Sequence, residues 1–534
     1  VKQILKRIAL SILVTTVVLG AAEGILRVTQ PELSDVRSPL IYQQASGQAW
    51  VSGKVPGSRI YVSGRRRVVT DTAAGQRILV FGASAAFGEM FTEYAAFPGW
   101  AQRTLIRADP DQNVEVLNLA HGGMGSRQVK DMIFRATSHD RPDLIVVYSG
   151  NNEYHELRAL KAASERYDPK AELLRRRMSK SYLYRSLRDT VAPGEDVLAP
   201  PEGVEWLPIG RLDVQVDDDD RELGRILYRE HLEDIVLMAR EAGIPLLLTT
   251  VATNLRDHMD NATPGEIPPQ ADHALHEMGE RVDKTDKDAF LAEAQALTAQ
   301  LQAEGAQHRL GHLLLRAGQA EAAHEAFIES EALALRPMQA DKHLRAVVHD
   351  VGAATDTPVC DLAQAMTKGS EDGIPGADVF IDHCHPNATG HQRMGFALAH
   401  CIAQTGAIDG VTVDAVSNAA TQLKAEPIDP FRLDHFIGHR EIPGRKPAKL
   451  APAGSALGAT ERGHYAFVEG RYKKASAAYT RAADRGAPAG AMAMNQALTA
   501  LYLLDLKEAQ GFARIAAAVL PDDRDVVQLA ASLQ

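Results

Sequence analysis

Gln76-Arg-Ile-Leu-Val-Phe-Gly-Ala-Ser84 contains a short unbroken apolar run and ends in a glycine, a small residue and a serine. Apolar residues at consecutive rather than alternating positions are what a strand buried on both faces of a parallel sheet needs, and the glycine marks a tight turn at its end. A helix is expected next, near residues 99–107. The same grammar recurs downstream: residues 114–119 run into His121-Gly122-Gly123, residues 144–148 into Gly150-Asn151-Asn152, and residues 245–251 into Asn254. Strands that alternate with helical segments build an open parallel sheet, which binds ligands outside the carboxyl ends of its strands. If the four runs share one sheet, Ser84, Gly123, Asn152 and Asn254 converge on one edge.

A later segment, Asp378-Val-Phe-Ile-Asp-His-Cys-His-Pro-Asn-Ala-Thr-Gly-His391, supplies a carboxylate and an imidazole three residues apart, Asp382 and His385, just ahead of a helix expected from about Asn387. At that spacing Asp382 can hold one nitrogen of His385 and leave the other to accept a proton from a serine. Serine needs such a base, and the oxyanion it creates needs preorganised donors, for which the amides of Ser84 and Gly123 and the side chain of Asn152 are candidates. Each block has a plainer reading by itself. The serine turn is an ordinary strand-to-helix connection, Asn152 is a helix cap, and His385 with His383, Cys384 and His391 is a set of metal ligands. The catalytic reading is preferred, with no metal and no organic cofactor required.

Taken in order, Gly82-Ala83-Ser84, Asn118 to Gly123, Gly150-Asn151-Asn152-Glu153 and Asp382 to His385 resemble the four blocks of the SGNH (GDSL-like) hydrolases. The resemblance implies a flavodoxin-like three-layer α/β sandwich. It also implies Ser84 as nucleophile, His385 as general base, Asp382 as its orienter, and Gly123 and Asn152 as oxyanion donors. Ala83 and Ala85 stand where the motif has Asp and Leu, and Glu153 where an Asp is usual; none of these removes a reacting group. Asn254 and Arg256, in Thr253-Asn254-Leu255-Arg256-Asp257, are candidates for binding a polar or anionic substrate group.

The rest of the chain sets the context. At 534 residues it exceeds a single core, and its net charge of -11 argues against a nucleic-acid partner. Lys2, Lys6 and Arg7 precede an apolar run over residues 8–22, which reads as an N-terminal export signal or anchor within residues 1–28. The expected location is the bacterial inner membrane with periplasmic domains, or, if the segment is cleaved, the periplasm or beyond. Of the three cysteines, Cys360 and Cys401 are the pair expected to bridge. The hydrolase-like domain is assigned to residues 73–410, with a helical insertion at about 270–340, and a proline-rich linker over residues 425–457 leads to an all-α region at 458–534.

In that last region Gly463, Ala475, Tyr479 and Ala482 occupy tetratricopeptide-like positions, and a shift of 34 residues, this repeat's own period, maps the last three onto Ala509, Ala513 and Ala516. Pro521 takes the closing position and residues 525–533 the capping helix. Leu310, Gly311, Ala323 and Phe327 form a further match inside the insertion, where a plain amphipathic helical hairpin is the alternative reading. Two C-terminal repeats are few to stand alone, so they are expected to pack on the hydrolase domain or on another chain. The acidic run Asp217 to Asp220 reads as a solvated turn. Together with the anchor, the repeats make the chain resemble a bacterial group of membrane-anchored, repeat-containing SGNH-like proteins. The function expected is an exported esterase or deacylase working through an acyl-Ser84 intermediate on an ester-bearing envelope or extracellular substrate, glycan or lipid. An O-acyltransferase acting on a surface glycan uses the same residues. A non-catalytic scaffold with a protein partner on its repeats is the alternative of another class.

Overall fold

The structure, a computed structural model, describes residues 14, 16–25, 51–52, 58–62, 66–70, 75–111, 113–137, 141–163, 167–178, 181, 183–184, 186–187, 214–259, 267–297, 301–436 and 450–533. The chain forms two compact units, one from residues 1–46 and 157–224 and the other from residues 47–156 and 225–534.

In the larger unit, three short strands, β1 (Val51–Ser52), β2 (Ser58–Val62) and β3 (Arg66–Thr70), pair antiparallel; the sequence reading did not anticipate them. Five further strands make the parallel sheet: β4 (Gln76–Gly82), β5 (Val114–Asn118), β6 (Leu144–Tyr148), β7 (Leu246–Thr249) and β8 (Val359–Cys360), in the order β5-β4-β6-β7-β8. Ile78 to Phe81 and Leu144 to Tyr148 are buried throughout, as the unbroken apolar runs require of strands covered on both faces. The chain leaves β4 for β5 on one side and then crosses to β6 on the other. At such a reversal an open parallel sheet binds ligands outside the carboxyl ends of its strands, and Ser84 stands just past the end of β4. The helix expected near residues 99–107 spans Phe97–Ala108, and Asn387 caps the Ala388–Thr405 helix by accepting the Gly390 N–H. The Cys360–Cys401 disulfide ties β8 to that helix, and Cys384 is buried outside any disulfide.

The insertion is helical, with Pro269–Arg281, Lys287–Leu297, Glu304–Arg316 and Ala320–Leu333 sharing a core around Leu275, Met278, Phe290, Leu310 and Phe327. The C-terminal region is five helices, Ala456–Val468, Tyr472–Asp484, Ala489–Tyr502, Leu506–Val519 and Arg524–Ser532. Both regions use one device. A Cβ on Gly311 would lie 2.8 Å from the Phe327 ring, and one on Gly463 would lie 2.4 Å from the Tyr479 ring, so a missing side chain lets each helix pair close on an aromatic. Ala475, Tyr479 and Ala482 and their counterparts Ala509, Ala513 and Ala516 are all buried. Tyr479 is fully enclosed and cannot swing away, so Gly463→Val is expected to cost about 1–3 kcal/mol in urea unfolding. Tyr479→Leu in the same chain should recover part of that loss, and an unchanged midpoint for Gly463→Val would refute the close approach.

The proline-rich stretch differs from expectation. Residues 426–436 do not form a free linker: Arg432, Leu433 and Asp434 are buried, because the segment is wedged between the C-terminal helices and the sheet domain. Leu433 N donates to Asn495 Oδ1 (2.8 Å) and Asn495 Nδ2 to Phe431 O (2.8 Å). Arg432 pairs with Asp434 and Asp523, and Arg103 of the Phe97–Ala108 helix reaches Asp525 (3.6 Å) and His435 (3.0 Å). Around these charges, Met494, Leu498 and Leu501 face Gly99, Arg103 and Ile106 and the outer strand β5 at Val114 and Val116, across a narrow cavity. The C-terminal helices therefore dock on the sheet domain of the same chain and cover the β5 edge of its sheet. Residues 437–449 of the expected linker lie outside the described residues, and its last two, Ala456 and Leu457, open the first C-terminal helix.

Within the smaller unit, the Pro169–Met178 helix is pinned by Glu172, which takes Arg175 and Arg176. The acidic run is the start of a helix rather than a turn, solvated at Asp217 and Asp218 but not at Asp220. Asp218 opens the Asp218–Ala242 helix, the amide of Asp220 donates to Asp217 and that of Asp217 to Asp220, and fully buried Asp220 also holds Lys161 and Tyr167. Carboxylates at a helix start satisfy amides that have no partner within the helix. Residues 16–25 are helical, and Glu23 accepts from Ser181 Oγ (2.8 Å) and Leu183 N (2.9 Å). Among the described residues no helix is long and apolar enough to cross a membrane; Lys2, Lys6 and Arg7 lie outside them.

Candidate active site

Strand β4 ends at Gly82, whose Cβ, if present, would stand 2.4 Å from the Tyr148 carbonyl of neighbouring β6. Only glycine lets the two strands stay paired there. The chain then makes one helical turn, Ser84–Phe87, closed by Phe87 N→Ala83 O (2.9 Å) and Glu89 N→Ser84 O (3.0 Å), and leaves it through Gly88 at φ +72°. Ser84 is half-buried, and neither its hydroxyl nor its N–H has a hydrogen-bond partner among the described residues. An unpaired amide in the first turn of a helix is a ready donor to an anion.

The loop after β5 is stitched to this turn by Asn118 Nδ2→Ala86 O (2.8 Å). Gly123 holds φ +77°, a conformation that favours glycine, and its N–H is likewise unpaired among the described residues. After β6, buried Asn152 donates one amide hydrogen to Met124 O (2.9 Å), which leaves the other for a ligand. Glu153, the departure from the usual Asp, ties the two donor loops together, accepting from Ser126 N (2.9 Å) and Ser126 Oγ (2.7 Å). Ser126 Oγ also meets His231 Nδ1 at 2.8 Å.

Burial, seconded by the charge of Glu156, pushes the Glu153 carboxyl up to about 7 despite these hydrogen bonds. Folded protein therefore keeps a proton that the unfolded chain has lost, and stability falls as pH rises from the ordinary carboxyl range to about 7. The expected loss is on the order of 3 kcal/mol. Glu153→Gln should flatten that slope, gaining on the wild type between pH 5 and pH 8; parallel stability profiles for the two proteins would refute it.

Asp382 and His385 form the pair the sequence implied. Both Asp382 oxygens receive His385 Nδ1 (2.9 and 2.7 Å), and Oδ1 also accepts the N–H groups of Cys384 (3.1 Å) and His385 (2.9 Å). Burial alone would raise the Asp382 carboxyl; the hydrogen bond and charge of His385 outweigh it and hold it well below the usual carboxylate range. An ionised Asp382 fixes the proton of His385 on Nδ1 and leaves Nε2 as a lone pair. That Nε2 is buried and has no hydrogen-bond partner among the described residues. Ser84 Oγ and His385 Nε2 are not bonded to each other, a looseness common in active sites without substrate.

His391 does not join the other potential ligands. Its Nδ1 accepts the Phe97 N–H (3.2 Å) and its ring packs on Phe91 and Phe97, so it serves the packing of the Ala388–Thr405 helix. Asn254 and Arg256, the candidates for substrate binding, both engage protein groups. Asn254 is buried and holds the Asp382–His385 turn from behind: its N donates to His383 O (2.8 Å), its Nδ2 to Asp382 O (3.0 Å), and its Oδ1 accepts from Asp257 N (3.0 Å). Arg256 is ringed by Asp257, Glu371 and Asp378 at 3.2–3.3 Å, which engages its fork and surrounds it with negative charge.

Asn254 is thus a positioning residue. Asn254→Ala is expected to lower kcat by about 10- to 100-fold with KM little changed, since it loosens the base rather than a substrate contact. A rise in KM alone would return Asn254 to substrate binding.

The sequence reading missed the anchors of the insertion. Ala340 N donates to Asn151 Oδ1 (3.3 Å) and Tyr154 Oη to Asp341 Oδ2 (2.9 Å). Thr253 Oγ1 donates to Glu331 Oε1 (2.7 Å), and Arg345 pairs with Glu331 and donates to Thr253 Oγ1 (3.3 Å). These bonds reach the neighbours of Asn152 and Asn254. The one sequence signal for them was the place of Asn151 and Thr253 at strand ends.

No protein-family profile and no curated protein matches the chain. Among solved structures it is similar to a protein named for the lipolytic G-D-S-L family from Desulfitobacterium hafniense, at 10% identity and a TM-score of 0.28, over 61% of this chain and 99% of that one. A variant of an acetyl xylan esterase from Geobacillus stearothermophilus matches at 12% identity and a TM-score of 0.29, over 64% of this chain and 98% of the other. At TM-scores this low the chemistry has to be argued from the side chains themselves.

Proposed function

We propose that the chain is an exported serine esterase or deacylase of SGNH type. The observation that carries this reading is the buried Nε2 of His385, unpartnered among the described residues, its ring fixed by an ionised Asp382 in a turn that Asn254 ties to the loop after β7. Ser84 Oγ attacks the acyl carbonyl and passes its proton to His385 Nε2. The oxyanion formed accepts from the N–H groups of Ser84 and Gly123 and the free amide hydrogen of Asn152. Collapse breaks the carbonyl–oxygen bond of the ester, His385 returns the proton to the leaving alkoxide, and water, activated by the same imidazole, releases the acid from acyl-Ser84.

The cationic and apolar N-terminus favours export with a membrane anchor, and the Cys360–Cys401 bridge fits an oxidising compartment. Substrates are then ester-bearing envelope or extracellular molecules, and the helical hairpins, read as tetratricopeptide-like, offer a protein partner their uncovered face. The test is labelling of the full chain with a fluorophosphonate probe. Labelling that depends on Ser84 supports the reading, and none on the folded wild type replaces it with a binding scaffold.

A further inference from the structure

The turn that carries the base presents four ligand-type side chains in succession. Asp382, His383, Cys384 and His385 each offer one donor atom, and all four atoms lie within 4.8 Å of one another. The cause is local. By accepting the N–H groups of Cys384 and His385, Asp382 Oδ1 curls the chain over its own carboxylate, while Asn254 pins the carbonyls of Asp382 and His383 from outside. His383 Nδ1 consequently stands 3.6 Å from Asp382 Oδ1, and the His383 ring packs between those of His258 (5.4 Å) and His385 (5.6 Å). Cys384 keeps its thiol, because the other two cysteines are bonded to each other.

We propose that this turn is a binding site for one zinc-class divalent ion, ligated by Asp382, His383, Cys384 and His385, and that the bound ion switches the hydrolase off. The second half rests on the function proposed above; the first does not. One thiolate, two imidazoles and a carboxylate form a borderline-soft set that suits zinc and is poor for magnesium or calcium, which demand oxygen. Bond lengths of about 2.0–2.3 Å put the donors of a tetrahedral site roughly 3.4–3.8 Å apart. The observed spread therefore needs a contraction on the order of 1 Å, within the reach of side-chain rotation at His383 and Cys384. Binding displaces the thiol proton to solvent and occupies the His385 imidazole. That imidazole can no longer take the proton of Ser84.

The experiment uses the full chain, stripped with a chelator and titrated with cobalt(II) as the spectroscopic probe, then with zinc(II) in competition. One equivalent of cobalt should give tetrahedral d–d bands and a thiolate-to-cobalt charge-transfer band, both erased by zinc. Cys384→Ser should abolish the charge-transfer band and weaken binding at least tenfold; His383→Gln, a second variant should the first fail to fold, should weaken binding similarly. Zinc should slow fluorophosphonate labelling of the wild type at least tenfold, with recovery on chelation, and should leave labelling of Cys384→Ser unaffected. No charge-transfer band, or bands that persist in Cys384→Ser because the ion sits at Asp434, His435 and Asp525, overturns the site. Cobalt binding with the expected bands in a chain that never labels upholds the site and removes the hydrolase reading instead.

Discussion

Asp382→Asn is expected to lower kcat by about four orders of magnitude while the protein remains folded, and Ser84→Ala or His385→Ala by about six. The difference has a physical source. Replacing the serine or the imidazole removes a reacting group, whereas the substituted carboxamide would still touch the ring but could present its amide N–H to Nδ1. The proton would then be placed on Nε2, where it blocks acceptance from Ser84. Both Asp382 oxygens engage His385 Nδ1, and Oδ1 also takes two backbone amides, so the backbone bonds of the turn should survive the change. Single-turnover fluorophosphonate labelling with unfolding midpoints measured in parallel checks it. An Asp382→Asn variant that labels at the wild-type rate would show that His385 is not oriented by this carboxylate.

Arg345→Met is expected to destabilise the larger unit by about 3–5 kcal/mol, the greatest stability loss of any single exchange considered. Glu331 is buried, its carboxyl is raised by that burial, and Arg345 is the cation that offsets the cost. Removing the arginine strands a charge, or forces Glu331 to take up a proton. Exchanging both partners, Arg345→Met with Glu331→Leu, should restore most of the stability, because the pair contributes little beyond cancelling its own desolvation. Labelling separates support of the fold from support of the site. Thr253 Oγ1 bonds to both partners and precedes Asn254, so the double variant should stay slow to label although it is stable again. Full recovery of the labelling rate would mean that the insertion does not help to position Asn254. Equal stability of the single variant and the wild type would remove the anchor altogether.

The parallel sheet was legible because burial on two faces writes itself as unbroken apolar runs. β6 carries the bounds its run has in the sequence, and β4, β5 and β7 end within two residues of theirs. β8 was missed: two residues, Val359 and Cys360, leave no period to read, and their place in the sheet comes from pairing with β7 alone. The Asp382–His385 contact was legible because its partners are three residues apart, and a local turn suffices to join them. The roles of Asn254 and Arg256 were not, since an asparagine that binds a substrate and one that binds two carbonyls of a neighbouring turn have the same sequence. Which of the two it is depends on Asp382, 128 residues away. The buried wedge at Arg432 and Asp434 was hidden for the same reason. Pro427 and Pro430 argue against a helix there, but they say nothing about Arg103 and Asp523, distant in sequence, which pair with His435 and Arg432.

The docking of the C-terminal helices on β5 also has a consequence for biosynthesis. An outer strand with open N–H and C=O groups is a template for pairing with a second chain. β5 is made long before its cover: at ordinary elongation rates the Ala489–Tyr502 helix follows roughly 370 residues later, a delay on the order of 20–75 s. During that interval each nascent molecule carries an uncovered edge, and crowding of nascent chains is then the hazard. Ribosomes spaced closely on one message would bring such edges together, and chains that stall or end before residue 489 would keep theirs exposed and be drawn into aggregates. These helices thus act as a stopper, fitted long after the strand is made, that turns a sticky intermediate into a finished surface.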